Sequence, residues 1–173
     1  MPHAHEHAPH HDHDEHTELT FAIVTASSTR SLENDTAGAA LESLIAENGW
    51  TCLDRVVVDD NVDELAAAIT RACDELHANV CLTCGGTGLS LRDVTPEATR
   101  AVMDREVPGI AEAIRAYSMG ITRRAMLSRA IAAQRGTTLI INFPGSERAA
   151  RENWDAVADQ LEHAIKMTAG GGH

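Results

Sequence analysis

Apolar residues recur along this chain in two rhythms, unbroken runs of strand length and spacings of three and four residues. Leu19–Ser27 (LTFAIVTAS) is a run of the first kind and predicts a buried strand. A helix follows over Thr36–Asn48, with Ala40, Leu41, Leu44 and Ile45 on one face, Asp35 suited to cap it and Gly49 to end it. Leu53–Val58 predicts the second strand, and Asp59-Asp60-Asn61 leads into a helix that turns Leu65, Ala68, Ile69 and Ala72 inward. A short third strand, Val80–Cys84, stops at Gly85-Gly86-Thr87-Gly88. After Pro96 come helical stretches around Glu97–Met103 and Gly109–Tyr117. Ala130–Gln134 and Thr138–Phe143 flank Arg135-Gly136-Thr137 as a hairpin, closed by Pro144-Gly145. Ser146 then suits the cap of one long amphipathic helix carrying Ala150, Trp154, Val157, Leu161 and Ile165.

Strand and helix alternate, so the expected fold is α/β: a three-layer sandwich whose mostly parallel sheet has helices on both faces and one antiparallel hairpin. The domain is expected over residues 18–168, with a C-terminal tail over 169–173. Residues 1–17 break the pattern. They have no apolar periodicity and hold seven of the ten histidines, which predicts a disordered tail that binds Zn, Ni or Cu opportunistically through imidazole.

Composition then narrows the function. The net charge of −12 repels nucleic-acid phosphates and anionic lipid, so neither is an expected partner. Of 14 basic residues only Lys166 is lysine, and acidic excess with so little lysine predicts a protein suited to a halophile's salt. No run approaches the length of a membrane span, and the polar start lacks a signal-peptide core, so a soluble, cytoplasmic protein is expected.

In open parallel sheets, ligands sit at the carboxyl ends of strands, and two polar segments fall there. Gly85-Gly86-Thr87-Gly88 lets backbone N–H groups surround an anion, typically phosphate, with the Thr87 hydroxyl as a further donor. The turn is neither a Walker A loop nor GxGxxG, and by itself it favours a plain tight turn over a phosphate cradle. Asp93 follows closely; a carboxylate beside a phosphate cradle suits Mg²⁺, and the same residue equally suits a helix cap. Asp59-Asp60, at the end of the preceding strand, either caps the next helix or completes a metal site with Asp93.

Taken in order, Gly85–Ala98 (GGTGLSLRDVTPEA), Asp104–Gly109, Glu112, Arg115, Ser118, Leu127–Ala130 and Asn142–Ser146 resemble the MoaB/Mog family of molybdopterin adenylyltransferases, from about Leu19 to Ile165. The resemblance implies a reaction: ATP and molybdopterin give adenylyl-molybdopterin and pyrophosphate with Mg²⁺, ahead of molybdenum or tungsten insertion. It implies a homotrimer or homohexamer, with the downstream metal-insertion enzyme as a candidate partner. Gly85, Gly86, Thr87 and Gly88 would bind the nucleotide phosphates. Asp60 and Asp93 would be the catalytic carboxylates and hold Mg²⁺ through the phosphates, with Asp59 the alternative to Asp60. Ser118, Ser128, Pro144, Gly145 and Ser146 would lie on the pterin side. Asp35-x-x-Gly38 also matches the family's pattern. Ala26-Ser27-Ser28 lacks the aspartate often seen there, and Cys84, Phe143 and Ala133 replace a usual threonine, leucine and glycine.

Two readings of other kinds compete: a non-catalytic molybdopterin-binding scaffold that kept the pocket, and a metal-handling protein acting through its histidines. Arg92 and Arg129 suit phosphate binding or plain solvation. Cys81 and Cys84 form a CxxC without a second pair, which favours two buried thiols over zinc or redox chemistry.

Overall fold

A computed structural model describes residues 16–171. Six strands form one sheet: β1 (Thr20–Ala26), β2 (Thr51–Val58), β3 (Val80–Cys84), β4 (Arg105–Glu106), β5 (Ala132–Arg135) and β6 (Thr138–Phe143). Their order across the sheet is β2-β1-β3-β6-β5-β4, with β2, β1, β3 and β6 parallel and the β6-β5-β4 edge antiparallel. Helices α1 (Thr36–Glu47), α2 (Val62–Asp74), α3 (Thr95–Val102), α4 (Pro108–Met119), α5 (Glu147–Asp155) and α6 (Leu161–Thr168) cover it. The expected three-layer α/β sandwich is the fold observed.

Alternation along the central strands makes two cores. Phe21, Ile23, Val80, Leu82, Leu139, Ile141 and Phe143 point to one face, where they meet Leu41 and Ile45 of α1, Ile114 of α4, Trp154 of α5 and Ile165 of α6. Ala22, Val24, Cys81 and Ile140 point to the other, against Leu65 and Ile69 of α2 and Ala98 of α3. Burial on both faces is why β1, β3 and β6 read as continuous apolar runs rather than as alternations. Trp50, Trp154 and Phe21 pack together with ring centroids 5.5–6.0 Å apart.

Several boundaries differ from expectation, each for a physical reason. The last helix is two: α5 ends at Asp155, a 3₁₀ turn occupies Ala158–Gln160, and α6 resumes at Leu161. Trp154, Val157, Leu161 and Ile165 are nonetheless all buried in one core. A 3₁₀ turn also returns a side chain to the same side every third residue, so the spacing hides the break. α3 begins before Pro96, which occupies its first turn, where a missing N–H costs nothing. β4 is two exposed, charged residues, too short and too polar to carry a period. At the N-terminal boundary, Thr17 is tied down: its N–H donates to Glu162 Oε2 at 3.2 Å and its carbonyl accepts from Trp50 Nε1 at 3.1 Å. Of the rest of the expected tail, His16 Nδ1 lies 2.7 Å from Glu162 Oε1, and residues 1–15 lie outside the described residues. At the other end, the N–H groups of Ala169, Gly170 and Gly171 close back onto α6 carbonyls. No helix among the described residues is long and apolar enough to cross a membrane.

Candidate nucleotide and substrate cavities

The chain leaves β1 toward β2 on one side and returns to β3 on the other. The loops that follow β1 and β3 therefore part, one leading to α1 on one face of the sheet and the other to α3 on the opposite face, and a crevice opens between them. That crevice is a cavity of about 400 Å³ lined by Ala26, Ser27, Thr29 and Arg30 after β1, Asp60 after β2, Gly85–Gly88 and Asp93 after β3, and Gly145 after β6. Four strand ends contribute to one wall.

The glycine turn is shaped by what it packs against. Gly85 and Gly86 have φ of +86° and +65°, the left-handed region that side chains disfavour. A Cβ on Gly86 would lie 2.3 Å from Thr95 Oγ1, and one on Gly85 would lie 2.9 Å from the Ala26 carbonyl. Thr95 fastens the turn to the start of α3, its Oγ1 donating to the Gly85 carbonyl at 2.8 Å and its N–H to the Gly86 carbonyl at 3.0 Å. Gly85 N–H donates to the Phe143 carbonyl at 2.9 Å. The N–H groups of Gly86, Thr87 and Gly88 donate to no acceptor among the described residues. Donors left over on a cavity wall suit an anion.

Both expected carboxylates line this cavity. Asp60 Oδ2 accepts from the Ser28 N–H and hydroxyl, each at 3.0 Å. The loop that lacks the aspartate often seen in the family thus offers Asp60 two donors from Ser28. Asp59 is exposed and outside the lining. Asp93 is not the cap of α3: Val94 holds that position without a side-chain bond, and Asp93 Oδ2 instead accepts from Ser90 N–H at 3.0 Å. Among the described residues no group of three or more His, Cys, Asp or Glu side chains is placed to hold a metal. Two carboxylates beside a phosphate-binding turn nevertheless fit Mg²⁺, which usually takes one or two carboxylates and completes its shell with phosphate oxygens and water.

A second cavity, of about 420 Å³, adjoins the first. Ser118, Ser128, Pro144 and Ser146 line it, together with Arg115, Arg124 and Asn153. Gly145, grouped with them by resemblance, faces the first cavity instead. Thr87 and Gly88 line both. The hydroxyls here also hold structure: Ser146 caps α5 by accepting from Ala149 N–H, and buried Ser118 donates to Asn153 Oδ1 at 3.3 Å.

Other candidates resolve differently. Arg92 is exposed and lines neither cavity, and Arg129 spends its guanidinium on protein groups. Asp35 and Gly38 are structural: buried Asp35 accepts from Thr25 Oγ1, Gly38 N–H and Arg55, and a Cβ on Gly38 would collide with it. Cys81 and Cys84 lie three apart on a strand, hence on opposite faces of the sheet, and cannot join. Burial pushes the Cys84 thiol up to about 12 and that of Cys73 to about 11. Arg30, which lines the first cavity and donates to the Gly145 carbonyl at 2.6 Å, went unnoticed in the sequence. Its position in the loop after the first strand was the available signal.

Over residues 22–163 the chain matches the family model described as a probable molybdopterin binding domain. It is 32% identical over 156 residues to the molybdopterin adenylyltransferase of Helicobacter pylori, covering 88% of this chain and 89% of that protein. To the molybdenum cofactor synthesis protein cinnamon of Drosophila melanogaster it is 38% identical over 152 residues, 86% of this chain, and it spans 25% of that longer protein. The solved structure of the molybdopterin biosynthesis enzyme MoaB from Thermus thermophilus superposes with a TM-score of 0.81 at 37% identity, covering 89% of this chain and 98% of that one.

Proposed function

The chain belongs to the molybdopterin binding domain family, and from that premise we propose that it is a molybdopterin adenylyltransferase of molybdenum cofactor biosynthesis. The observation that carries the reading is the pair of adjoining cavities, one with a phosphate-type turn and two carboxylates, meeting at Thr87 and Gly88. One cavity would take ATP and the other the pterin, so that the reacting phosphates face each other across that ridge.

In this reading a phosphate oxygen of molybdopterin forms a bond to the α-phosphorus of ATP. The bond from that phosphorus to the bridging oxygen of the β-phosphate breaks, and pyrophosphate leaves. Both partners are anions, so the barrier is one of alignment and charge. The unpartnered N–H groups of Gly86–Gly88 would hold phosphate oxygens, and Arg30 would add positive charge to the same wall. Asp60 and Asp93 would hold Mg²⁺, which supplies the neutralising charge when bound. Ser118, Ser128, Pro144 and Ser146 would orient the pterin. No side-chain nucleophile is needed. The proposal extends to a cytoplasmic homotrimer or homohexamer that passes its product to a metal-insertion enzyme.

The test is direct: incubate the protein with molybdopterin, Mg²⁺ and ATP labelled at the α-phosphate. Labelled adenylyl-pterin, with equimolar pyrophosphate, is expected. Binding of both ligands without product would overturn the enzymatic reading.

A further inference from the structure

Arg129 follows Ser128 of the second cavity in sequence, yet its bonds run to the wall of the first. Its N–H donates to the Thr87 carbonyl at 2.9 Å and its Nε to the Gly88 carbonyl at 2.7 Å. Nη2 donates to the Asp93 carbonyl at 2.7 Å, and Glu97 of α3 takes Nη1 at 2.6 Å. Thr87 and Gly88 are the two residues that line both cavities, and Asp93 bears one of the two carboxylates. One arginine thus ties the shared ridge, the carboxylate-bearing loop and α3 together. Within the Gly88–Asp93 span the other hydrogen bonds run between Ser90, Arg92 and Asp93, all inside the span.

Resting on the adenylyltransferase reading, we propose that Arg129 is a positioning residue that fixes the register between the two substrate cavities. It touches neither substrate. Its planar fork spans carbonyls of residues 88 and 93 and a carboxylate at once, a geometry that a lysine ammonium, a point charge, does not reproduce. Releasing it leaves each cavity its own lining but loosens the alignment of one with the other. Misplacement by about 1 Å costs transfer rates on the order of 100-fold. The loss therefore belongs to kcat.

The test uses Arg129→Lys and Arg129→Gln in the full chain. Both are expected to lower kcat for adenylyl transfer about 100-fold while the KM for ATP and for molybdopterin each stays within about threefold. Amide hydrogen exchange at Ser90 and Asp93, whose N–H groups are bonded inside the tied loop, is expected to quicken in both variants. Thermal unfolding midpoints report folding. Should the Gln variant unfold, the Lys variant, which keeps the aliphatic stem and the backbone bond to Thr87, decides alone. Wild-type kcat in Arg129→Lys, a loss confined to KM, or unchanged exchange at Ser90 and Asp93 would each overturn the proposal. A wild-type protein that makes no adenylyl-pterin overturns the functional reading instead, and the catalytic role of Arg129 with it.

Discussion

Replacing Asp60 or Asp93 by alanine is expected to lower adenylyl transfer at least about 100-fold, because each removes one of the two carboxylates on the wall of the first cavity. Asp60 also receives two hydrogen bonds from Ser28, so Asp60→Asn is the informative companion: it keeps an acceptor and loses only the charge. Equal losses in Asp60→Ala and Asp60→Asn, measured with α-labelled ATP, assign the effect to charge. Full activity in both removes Asp60 from the mechanism. Gly86 carries a different burden. Its φ of +65° and the 2.3 Å approach of Thr95 Oγ1 leave no room for a side chain. Gly86→Ala is expected to cost about 1–3 kcal/mol of stability, read by denaturant unfolding, besides weakening ATP binding. The glycine is required by the protein's own packing even before any ligand arrives.

Among elements, β1 and the helices over it hold the fold. Phe21 is fully buried between Trp50 and Trp154, and Phe21→Ala is expected to cost about 3–5 kcal/mol by denaturant unfolding. A cost under about 1 kcal/mol would mean that this aromatic cluster collapses to fill the gap. The join between α3 and the cavity wall is expected to be acid-labile. The Arg129 guanidinium holds the Glu97 carboxyl below its ordinary 4.5. A depressed folded value contributes stability that is complete above the unfolded pKa and is lost as pH falls through the folded one. The stability difference between wild type and Glu97→Gln should therefore be constant near neutrality and vanish as the pH drops below 4.5; a difference that persists in acid would mean Glu97 acts by packing. These elements also show what the sequence disclosed. Apolar runs marked β1, β3 and β6 because burial on both faces leaves no polar alternation, and strand ends placed Gly85–Gly88, Asp60 and Asp93 near one another. The break at Ala158–Gln160 and the two-residue β4 were invisible, since neither disturbs the apolar spacing. The ties of Arg129 were invisible too, because they depend on which loops meet, and that is a matter of crossover order rather than of local pattern.

Over the whole molecule, charge outweighs every local contact in reach. A chain of net charge −12 repels itself, and added salt screens that repulsion within a Debye length of about 10 Å at 0.1 M and about 3 Å at 1 M. Raising KCl from about 0.1 to about 2 M is expected to raise the unfolding midpoint by about 2–4 °C for each 1 kcal/mol gained. A flat or falling midpoint would mean that charge repulsion does not limit the stability of this chain. Larger still is the consequence of how the loops after β1, β3 and β6 meet. Gly85 lies against the Ala26 carbonyl, and a Cβ on Gly145 would come within 3.2 Å of the Gly85 Cα. The floor of the first cavity is thus main chain resting on main chain. Such a floor has no rotamers to freeze, so a ligand settling on it forfeits little conformational entropy there. It also has no side chain for drift to alter: its one demand on the sequence is that nothing be added.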